Sequence, residues 1–337
     1  MKRAAFWFLV SGFWFAPANA QSIAPTNAGI VVAHHNQTQL FNTTGTDVVW
    51  TTDGVAIATS IVAGDDRVAV LDALSSDVRV VELASGRGTT IKCGETPVAG
   101  VFVGRTFYLL ERDARALERI GADGARASME LAADPAFLRE ARGRLYVYAR
   151  TAGVLQEITT APFAIARSVS VAPFASDFQT DGANAYLVYP REAKVRVVAL
   201  TSMKPAGEIA VGAVPVALAF ASAHTLAVAD PSAKRVWTIE GSQSFSQAFA
   251  RGFLRGLLGL GIRPSPNSDF PTGVDRVLVR GNLLLAYDTS SGTLYRVAKA
   301  KSSIVAKDVR PQAFTATPEG VFVWDDAVRR LHRYLNR

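Results

Sequence analysis

The stretch that decides the fold is VGAVPVALAFASAHTLAVADPSAKRVWTIE, residues 211–240. It contains three short runs rich in apolar and β-branched residues, at 216–220, 226–229 and 235–239, and turn residues such as Pro231 and Ser232 separate them. Alternation with a period of two places successive side chains on opposite faces, as in a strand and unlike in a helix. The stretch therefore predicts three antiparallel strands joined by tight turns.

The same unit recurs along most of the chain. A proline opens six of the units, and the spacings are 38, 38, 42, 56 and 40 residues between Pro97, Pro135, Pro173, Pro215, Pro271 and Pro311. An earlier unit without the proline begins near Val55, and the single long spacing indicates an insertion. A period of about 40 residues with four strands is typical of a β-propeller blade.

An acidic residue closes the second run of five units. These residues are Asp72, Glu111, Asp230, Asp288 and Asp325, and an apolar residue of the next run follows six positions after each of them. In one interpretation, each carboxylate accepts N–H groups of its own turn. In the other, the carboxylates gather on one face and bind a cation such as calcium. Because the acid repeats at one place in the unit, we favour the turn interpretation.

The number of blades follows from counting the units. Starting near Val55 there are six full units and a seventh that ends after its third strand. We expect one of the apolar segments within residues 29–50 to complete that last blade, because a shared closing blade removes two exposed sheet edges. The sequence thus predicts an all-β, seven-bladed propeller of four-stranded antiparallel blades. A propeller of eight blades is the alternative, since residues 29–50 also look like a unit that lacks its first strand.

A family resemblance rests on the segments VGAVPVALAF (211–220), LAVAD (226–230) and KRVWTI (234–239). They resemble the YVTN-type (YncE-like) repeats of surface and periplasmic propellers, and they are similar to NHL-type repeats. The resemblance extends over most of residues 54–337 in spacing, and it implies a propeller fold without a particular function. Propeller lactonases hold a metal with Glu, Asn and Asp ligands around the central channel. We match no such set here, although Asn184, Asn267 and Asn282 are present.

The N-terminus has the pattern of a secretory signal peptide. Basic residues 1–3 precede an apolar run at 4–15, and Ala18 and Ala20 form a small-residue cleavage site. We predict cleavage after Ala20, a propeller domain over residues 21–337, and a periplasmic or secreted location. The formal net charge of +7 is mild. We read basic clusters such as Arg139, Arg142, Arg144 and Arg150 as solvated charges and expect no nucleic-acid partner.

Few residues suggest catalysis or metal binding. Cys93 is the only cysteine, and the histidines are His34, His35, His224 and His332. Because His34 and His35 are adjacent, a strand would point them to opposite faces, so we expect them not to chelate one metal. No zinc-type or serine-hydrolase motif is present. We therefore predict no catalytic, cofactor-binding or metal-ligating set, with only a divalent cation such as calcium left open.

The most individual segment is the insertion at about residues 243–266. At helical spacing Phe245, Phe249, Phe253 and Leu257 fall on one stripe, away from the arginines. The segment is either a lid packed on the propeller or an amphipathic contact with a membrane surface or a partner protein. The candidate contact residues are Phe245, Phe249, Arg251, Phe253, Arg255 and Leu257.

Taken together, these patterns predict an exported, monomeric, non-catalytic β-propeller that binds a protein partner or a small ligand on one face. The alternative is a metal-dependent, lactonase-like hydrolase with its site at the central channel. Three or more converging Glu, Asp, Asn or His side chains at the channel mouth would indicate the enzyme. A channel lined by Val, Ala and Ser would indicate the binding protein.

Overall fold

The computed structural model describes residues 22–222, 225–240, 265–280, 283–298, 301–310 and 313–335. In these ranges the chain forms 31 strands and one 3-10 helix, Pro190–Glu192. The strands make eight antiparallel sheets, and each sheet consists of strands that are consecutive in the chain. Each sheet is one blade of the propeller, and we number the blades 1 to 8 in chain order.

The strand bounds show four strands in seven blades and three in the last, over the residues described. Blades 1 and 2 contain β1 (Ser22–Thr26), β2 (Gly29–His34), β3 (Gln37–Phe41), β4 (Val48–Asp53), β5 (Ser60–Ala63), β6 (Arg67–Asp72), β7 (Asp77–Glu82) and β8 (Gly88–Lys92). Blades 3 and 4 contain β9 (Pro97–Val103), β10 (Thr106–Glu111), β11 (Ala116–Ile120), β12 (Arg126–Glu130), β13 (Pro135–Ala141), β14 (Arg144–Ala149), β15 (Val154–Thr160) and β16 (Phe163–Ser170). Blades 5 and 6 contain β17 (Asp177–Thr180), β18 (Asn184–Tyr189), β19 (Lys194–Ala199), β20 (Lys204–Ala210), β21 (Ala217–Ser222), β22 (Thr225–Asp230), β23 (Arg235–Glu240) and β24 (Ser265–Asp269). Blades 7 and 8 contain β25 (Arg276–Arg280), β26 (Leu283–Asp288), β27 (Thr293–Ala298), β28 (Lys301–Ala306), β29 (Phe314–Thr317), β30 (Gly320–Asp325) and β31 (Arg330–Tyr334).

The first strand of every blade lies innermost and forms the wall of the central channel. Each first strand contacts the first strand of the next blade, from β1 and β5 onward to β25 and β29. The ring closes because β29 also contacts β1. The propeller therefore has eight blades, so the predicted count of seven was wrong and the alternative of eight is confirmed.

The predicted blade count was too low because β1 was not predicted as a strand. Strand β1 has only five residues, SIAPT, and one of them is Pro25. They pair with β2 from Ser22 opposite Ala33 to Thr26 opposite Gly29. Proline is tolerated on such an edge strand because one side of the strand needs no ladder N–H. With β1 included, residues 22–53 are a complete blade.

The predicted completion of the last blade by an N-terminal strand was also wrong. Among the described residues, β1 to β4 pair only with one another, and blade 8 consists of β29 to β31. Blades 1 and 8 instead meet through side chains. A buried cluster joins Ile23, Ile30, Val32 and Phe41 of blade 1 to Ala313, Phe322, Trp324 and Leu331 beside and within blade 8. Burying a large apolar side chain contributes about 1.5–3 kcal/mol, so this cluster holds the ring shut.

The core of the protein lies between neighbouring blades. The second strands β2, β6, β18 and β26 are buried along their whole length. Both of their faces meet other blades, which explains why they read as continuous apolar runs rather than as alternating ones. The outer strand β16 is mostly exposed.

Candidate functional site

The repeated carboxylates lie at the ends of second strands and accept hydrogen bonds from their own turns. Oδ1 of Asp72 accepts from the N–H groups of Leu74 and Ser75 at 2.9 and 3.1 Å, and Oδ2 accepts from Ile57 at 2.9 Å. Donors two and three positions later likewise serve Asp230, Asp288 and Asp325. The turn interpretation is therefore confirmed for these four residues. Glu111 differs, because it accepts from Gly94 in the loop that enters its blade.

Asp230 shows why such a carboxylate has little capacity left for a cation. Its oxygens accept hydrogen bonds from the N–H groups of Ala213, Val214 and Ala233, the Ser232 hydroxyl and the Trp237 indole N–H. A carboxylate offers about four lone-pair positions, so these donors use them all. Burial alone would raise the pKa of Asp230, but the hydrogen bonds hold it below its ordinary value.

The central channel contains two cavities that share Pro25, Ala63 and Arg280. The inner cavity, of about 480 Å³, lies among β1, β5, β9 and β13, and both polar and apolar groups line it, such as Arg139 and Phe137. The outer cavity, of about 640 Å³, opens at the turns between first and second strands. The channel is therefore a lined, accessible space that a small molecule could enter from this mouth.

A guanidinium group belongs to the channel wall. Arg139 of β13 donates to the carbonyl of Leu138 at 2.9 Å and to Oε1 of Gln179 at 3.3 Å. Its distance to Oδ1 of Asp177 is 3.8 Å, which is too long for a hydrogen bond. Asp177 itself accepts from the N–H of Phe178. The side chain of Arg139 is 31% exposed, so a solute in the channel can reach it.

The channel wall carries charges of both signs. The described residues of the eight first strands carry five charged side chains, Arg139, Glu140, Asp177, Arg276 and Arg280. Glu140 is engaged in its turn, where it accepts from the N–H of Gly143 at 2.7 Å. Burial lowers the pKa of Arg139 and Arg276, while the nearby carboxylates oppose that shift. Because arginine stays protonated, the inner cavity, which Arg139 and Arg280 line, favours anions. The outer cavity is different, because Asp65 and Glu319 line it together with Arg280.

Arg139 is a candidate site residue that was not predicted from the sequence. Its cluster with Arg142, Arg144 and Arg150 was interpreted as solvated surface charge. The position of Arg139 within its repeat could have identified it, because Arg139 follows Pro135 within the first run of the unit. That position belongs to a channel-lining strand once the fold is a propeller.

A second cluster lies where blade 1 meets blade 8. His34 ends β2, and His35 follows with φ of 43°, in the left-handed region. The two ring centroids are 5.8 Å apart. Nε2 of His35 lies 3.0 and 3.1 Å from the two carboxylate oxygens of Asp326, in the turn after β30. One ligand atom from each of His34, His35 and Asp326 lies within 4.8 Å of the others.

The prediction that His34 and His35 point to opposite faces was therefore wrong, whereas the prediction that they do not chelate one metal is not tested by this geometry. Side chains alternate only inside a strand, and His35 lies just beyond the end of β2. His34 is 3% exposed, and its ring packs 4.6 Å from that of Trp324. Its Nε2 lies 3.1 Å from Oε1 of Gln39, whereas its Nδ1 is buried without a hydrogen-bond partner. Burial lowers the pKa of His34, against the opposing effect of Gln39.

Cys93 is packed, as the sequence indicated. Its thiol donates to the carbonyl of Ser76 at 2.8 Å. Burial and the neighbouring Glu111 carboxylate raise the pKa of the thiol to about 12. A thiol with such a pKa is a poor nucleophile at neutral pH.

Several predicted features lie outside the described residues. They are the signal peptide at 1–20, His224, Asn282 and residues 243–264 of the insertion, with the candidate contacts Phe245, Phe249, Arg251, Phe253, Arg255 and Leu257. The described part of the chain contains no helix with the length and apolarity to cross a bilayer.

Comparison with known proteins supports the fold. No protein-family model and no curated protein matches the chain. Among solved structures, the computationally designed protein Ika8 superposes with a TM-score of 0.70 at 9% identity, over 95% of this chain and 98% of Ika8. BamB from Moraxella catarrhalis gives 0.64 at 10% identity, over 92% and 94%. The dihydro-heme d1 dehydrogenase NirN, in complex with DHE, gives 0.65 at 14% identity, over 85% of this chain and 66% of NirN. These low identities show the fold alone: BamB and NirN are β-propellers, consistent with the YVTN and NHL resemblance.

Proposed function

We propose that this chain is a non-catalytic binding propeller that holds an anionic small ligand in its central channel, with Arg139 and Arg280 as the anion-binding residues. The observation that carries the proposal is the loosely paired guanidinium of Arg139. It faces one carbonyl, one amide oxygen and a carboxylate 3.8 Å away. A ligand carboxylate or phosphate at hydrogen-bond distance would form stronger, charge-assisted hydrogen bonds with the guanidinium than these groups do.

The energetics favour such a ligand. Hydrogen bonds between charged groups contribute about 1.5–3 kcal/mol each, and more where water is partly excluded. Arg280 lines both cavities, so it can meet the same ligand from the side of the channel mouth. The lining of the inner cavity also includes apolar residues, among them Ile61 and Val98, which would contact the body of the ligand.

The size of the channel also fits a small molecule. The two cavities measure about 480 and 640 Å³, and typical ligand sites range from about 300 to 1,000 Å³. A folded protein partner could not enter such a space. It could insert only an extended segment or a terminal carboxylate.

The test uses isothermal calorimetry and thermal unfolding with succinate, inorganic phosphate and the neutral analogue succinamide. We expect at least one of the two anions to bind and to raise the unfolding midpoint, and succinamide to do neither. Arg139→Gln and Arg280→Gln should each weaken binding by at least about tenfold, the equivalent of 1.4 kcal/mol. The control is Arg330→Gln, an exposed arginine on the outer strand β31, and it should leave affinity unchanged. Anion binding that survives both channel substitutions would contradict the proposal.

The second candidate is the metal-dependent, lactonase-like hydrolase with its site at the channel. It requires a divalent cation in the channel. Asn27, Asp65 and Glu319, which line the outer cavity, would favour a cation, whereas Arg139, Arg276 and Arg280 of the channel wall would oppose it. Calcium- or zinc-dependent hydrolysis of γ-butyrolactone that is lost on substitution of channel residues would favour this candidate over the binding protein.

The cellular setting belongs to the proposal as well. Export, cleavage after Ala20 and a monomeric state rest on the sequence patterns described above. Mass spectrometry of the periplasmic fraction should find a chain that begins at Gln21. A variant that lacks residues 243–264 tests the membrane alternative, because loss of liposome binding by an otherwise folded protein would support it.

A further inference from the structure

We infer that His34, His35 and Asp326 form a binding site for one divalent transition-metal ion of the zinc class, placed at the seam between blade 1 and blade 8. Nothing in the proposed channel function requires this site. Its three side chains come from the end of β2 and from the turn after β30, 291 residues apart in the case of His35 and Asp326.

The distances suit a metal after a small adjustment. Zinc binds imidazole nitrogen and carboxylate oxygen at about 2.0–2.2 Å, so two ligand atoms of a tetrahedral site lie roughly 3.3 Å apart. Nε2 of His35 and Oδ1 of Asp326 are already 3.0 Å apart. A ring nitrogen of His34 lies within 4.8 Å of both. The imidazole of His35 is 40% exposed, so it has room to turn towards a shared ion.

The buried His34 supplies the observation that points to a ligand. Its Nδ1 is a polar atom in a residue that is only 3% exposed, and it has no hydrogen-bond partner. Leaving such an atom unpaired destabilises the folded state, and a bound ion would offset that cost. Because Nε2 is engaged by Gln39, Nδ1 is the nitrogen that remains for a metal.

Gln39 also selects the form of His34 that can bind a metal. The amide nitrogen of Gln39 donates to the hydroxyl of Thr51 at 3.3 Å, which turns Oε1 of Gln39 towards His34. Oε1 can only accept, so Nε2 of His34 must carry the hydrogen and Nδ1 must carry the lone pair. Metal-binding histidines commonly donate their second N–H to an oxygen acceptor in this way.

The ligand set selects the class of ion. Two imidazoles and one carboxylate suit zinc, copper or nickel, whereas calcium and magnesium prefer oxygen ligands throughout. The three protein ligands leave a fourth position of a tetrahedral ion for water. Arg310 lies 3.9 Å from Oδ2 of Asp326, and its charge opposes the ion, so we expect affinity in the micromolar rather than the picomolar range.

A metal at this place would link the two blades that close the ring. It binds only the closed arrangement, so it stabilises the folded protein in proportion to its saturation. At a hundredfold excess of free metal over Kd, the unfolding midpoint should rise by about 5 °C.

The experiment uses the full chain without a polyhistidine tag, freed of metal with EDTA and dialysed. Calorimetric titration with ZnCl2 should give one site per chain, and CoCl2 should produce the visible absorption of a four-coordinate cobalt ion. His35→Ala and Asp326→Asn should each weaken zinc binding by about a hundredfold. The matched control is His332→Ala, because His332 is an exposed imidazole 3.9 Å from Asp325, and this variant should bind zinc like the wild type.

A further variant covers the case in which a ligand substitution disturbs the fold. Gln39→Leu keeps all three ligands and should weaken zinc binding roughly tenfold, while circular dichroism confirms the native fold. The inference fails if zinc does not bind at one site per chain. It also fails if His332→Ala loses as much affinity as His35→Ala, or if Gln39→Leu binds zinc like the wild type.

Discussion

Oδ2 of Asp177 accepts a 2.9 Å hydrogen bond from the backbone N–H of Leu218, 41 residues later. The bond crosses from β17 of blade 5 to β21 of blade 6. Beside it, the hydroxyl of Ser176 donates to the carbonyl of Val216 at 2.7 Å. Arg139 approaches the other side of Asp177 from blade 4. Polar contacts thus connect three consecutive blades along the channel wall, in addition to the apolar packing between them.

Replacing Asp177 with asparagine should change how stability depends on pH. Burial raises the pKa of the Asp177 carboxyl above its ordinary value of 3.8, against the attraction of Arg139. The folded state then binds a proton more readily than the unfolded state. The wild type should therefore lose stability relative to the variant as the pH rises from about 4 to about 7. Urea unfolding at the two pH values measures this difference.

The control for this experiment is Asp53→Asn, which changes an exposed carboxylate on the outer strand β4. It accounts for the general effect of removing one negative charge. A stability difference between the wild type and Asp177→Asn that is the same at both pH values would show that the pKa of Asp177 is not raised.

Removing the Asp230 carboxylate should be costly. Asp230→Ala leaves the N–H groups of Ala213 and Ala233 and the indole of Trp237 without their acceptor. Since each buried, unpaired group costs about 1–3 kcal/mol, we expect a loss of about 3 kcal/mol in the free energy of unfolding at pH 7. Urea unfolding measures it. Asp325→Ala is the matched control, because Asp325 ends β30 in the same way but its side chain is 45% exposed, and it should cost less than about 1 kcal/mol.

The pH dependence of the free energy of unfolding of Asp230→Ala and Asp325→Ala gives a second test. The pKa of Asp230 is lowered in the folded state, since hydrogen bonds outweigh the effect of burial. The stabilisation is therefore complete above the ordinary pKa of 3.8 and is lost as the pH falls through the lower, folded-state pKa. Equal losses for Asp230→Ala and Asp325→Ala at pH 7 would contradict this account.

The repeated units of this chain show what a sequence can and cannot reveal about a propeller. Local chemistry repeats, so the strands and the role of Asp230 in its turn were predictable from the spacing of prolines and acids. The blade count depended on β1, a five-residue strand with a proline, whose identity is fixed by pairing with β2 rather than by its own residues. The approach of His34, His35 and Asp326 to one another was not predictable, because the positive φ of His35 ends the alternation of side chains. Contacts between the ends of the chain leave no periodic signal.

Gly212, in the loop between β20 and β21, should not tolerate a side chain. Its φ is +57°, and a Cβ added there would lie 2.0 Å from Oδ2 of Asp230 and 2.5 Å from Nε1 of Trp237. We expect Gly212→Ala to destabilise the protein by at least about 3 kcal/mol, measured by urea unfolding, because it combines backbone strain with a clash.

Substitution of Gly104 separates the effect of backbone strain from the effect of a steric clash. Its φ is +56°, and nothing lies within 4 Å of an added Cβ. Gly104→Ala should therefore cost only the backbone term of about 1–2 kcal/mol. If both substitutions have the same effect, the close approach of Gly212 to Asp230 does not contribute.

The thiol of Cys93 should react slowly in the folded protein. With its pKa raised to about 12, the thiolate fraction at pH 8 is smaller than that of a free cysteine by a factor on the order of a thousand. The absorbance change with Ellman's reagent at pH 8 should accordingly be slow in buffer and rapid in 8 M urea. Cys93 is the only cysteine, so the signal reports this site alone. Rapid labelling without denaturant would contradict the burial of the thiol.

The meeting of β1 and β29 has a consequence for the order of folding during synthesis. Every sheet joins consecutive strands, so a blade can form as soon as its own residues have emerged, whether from the ribosome or, for an exported chain, from the membrane. The contact between β1 and β29 instead waits for the last blade. Closing a loop of almost 300 residues costs roughly 2 kcal/mol more entropy than closing one of 40. We expect a growing chain to carry an open arc of finished blades, with Ile23 and Ile30 uncovered until Phe322 and Trp324 emerge. During that interval the nascent arc, rather than the finished ring, is the form that chaperones must protect.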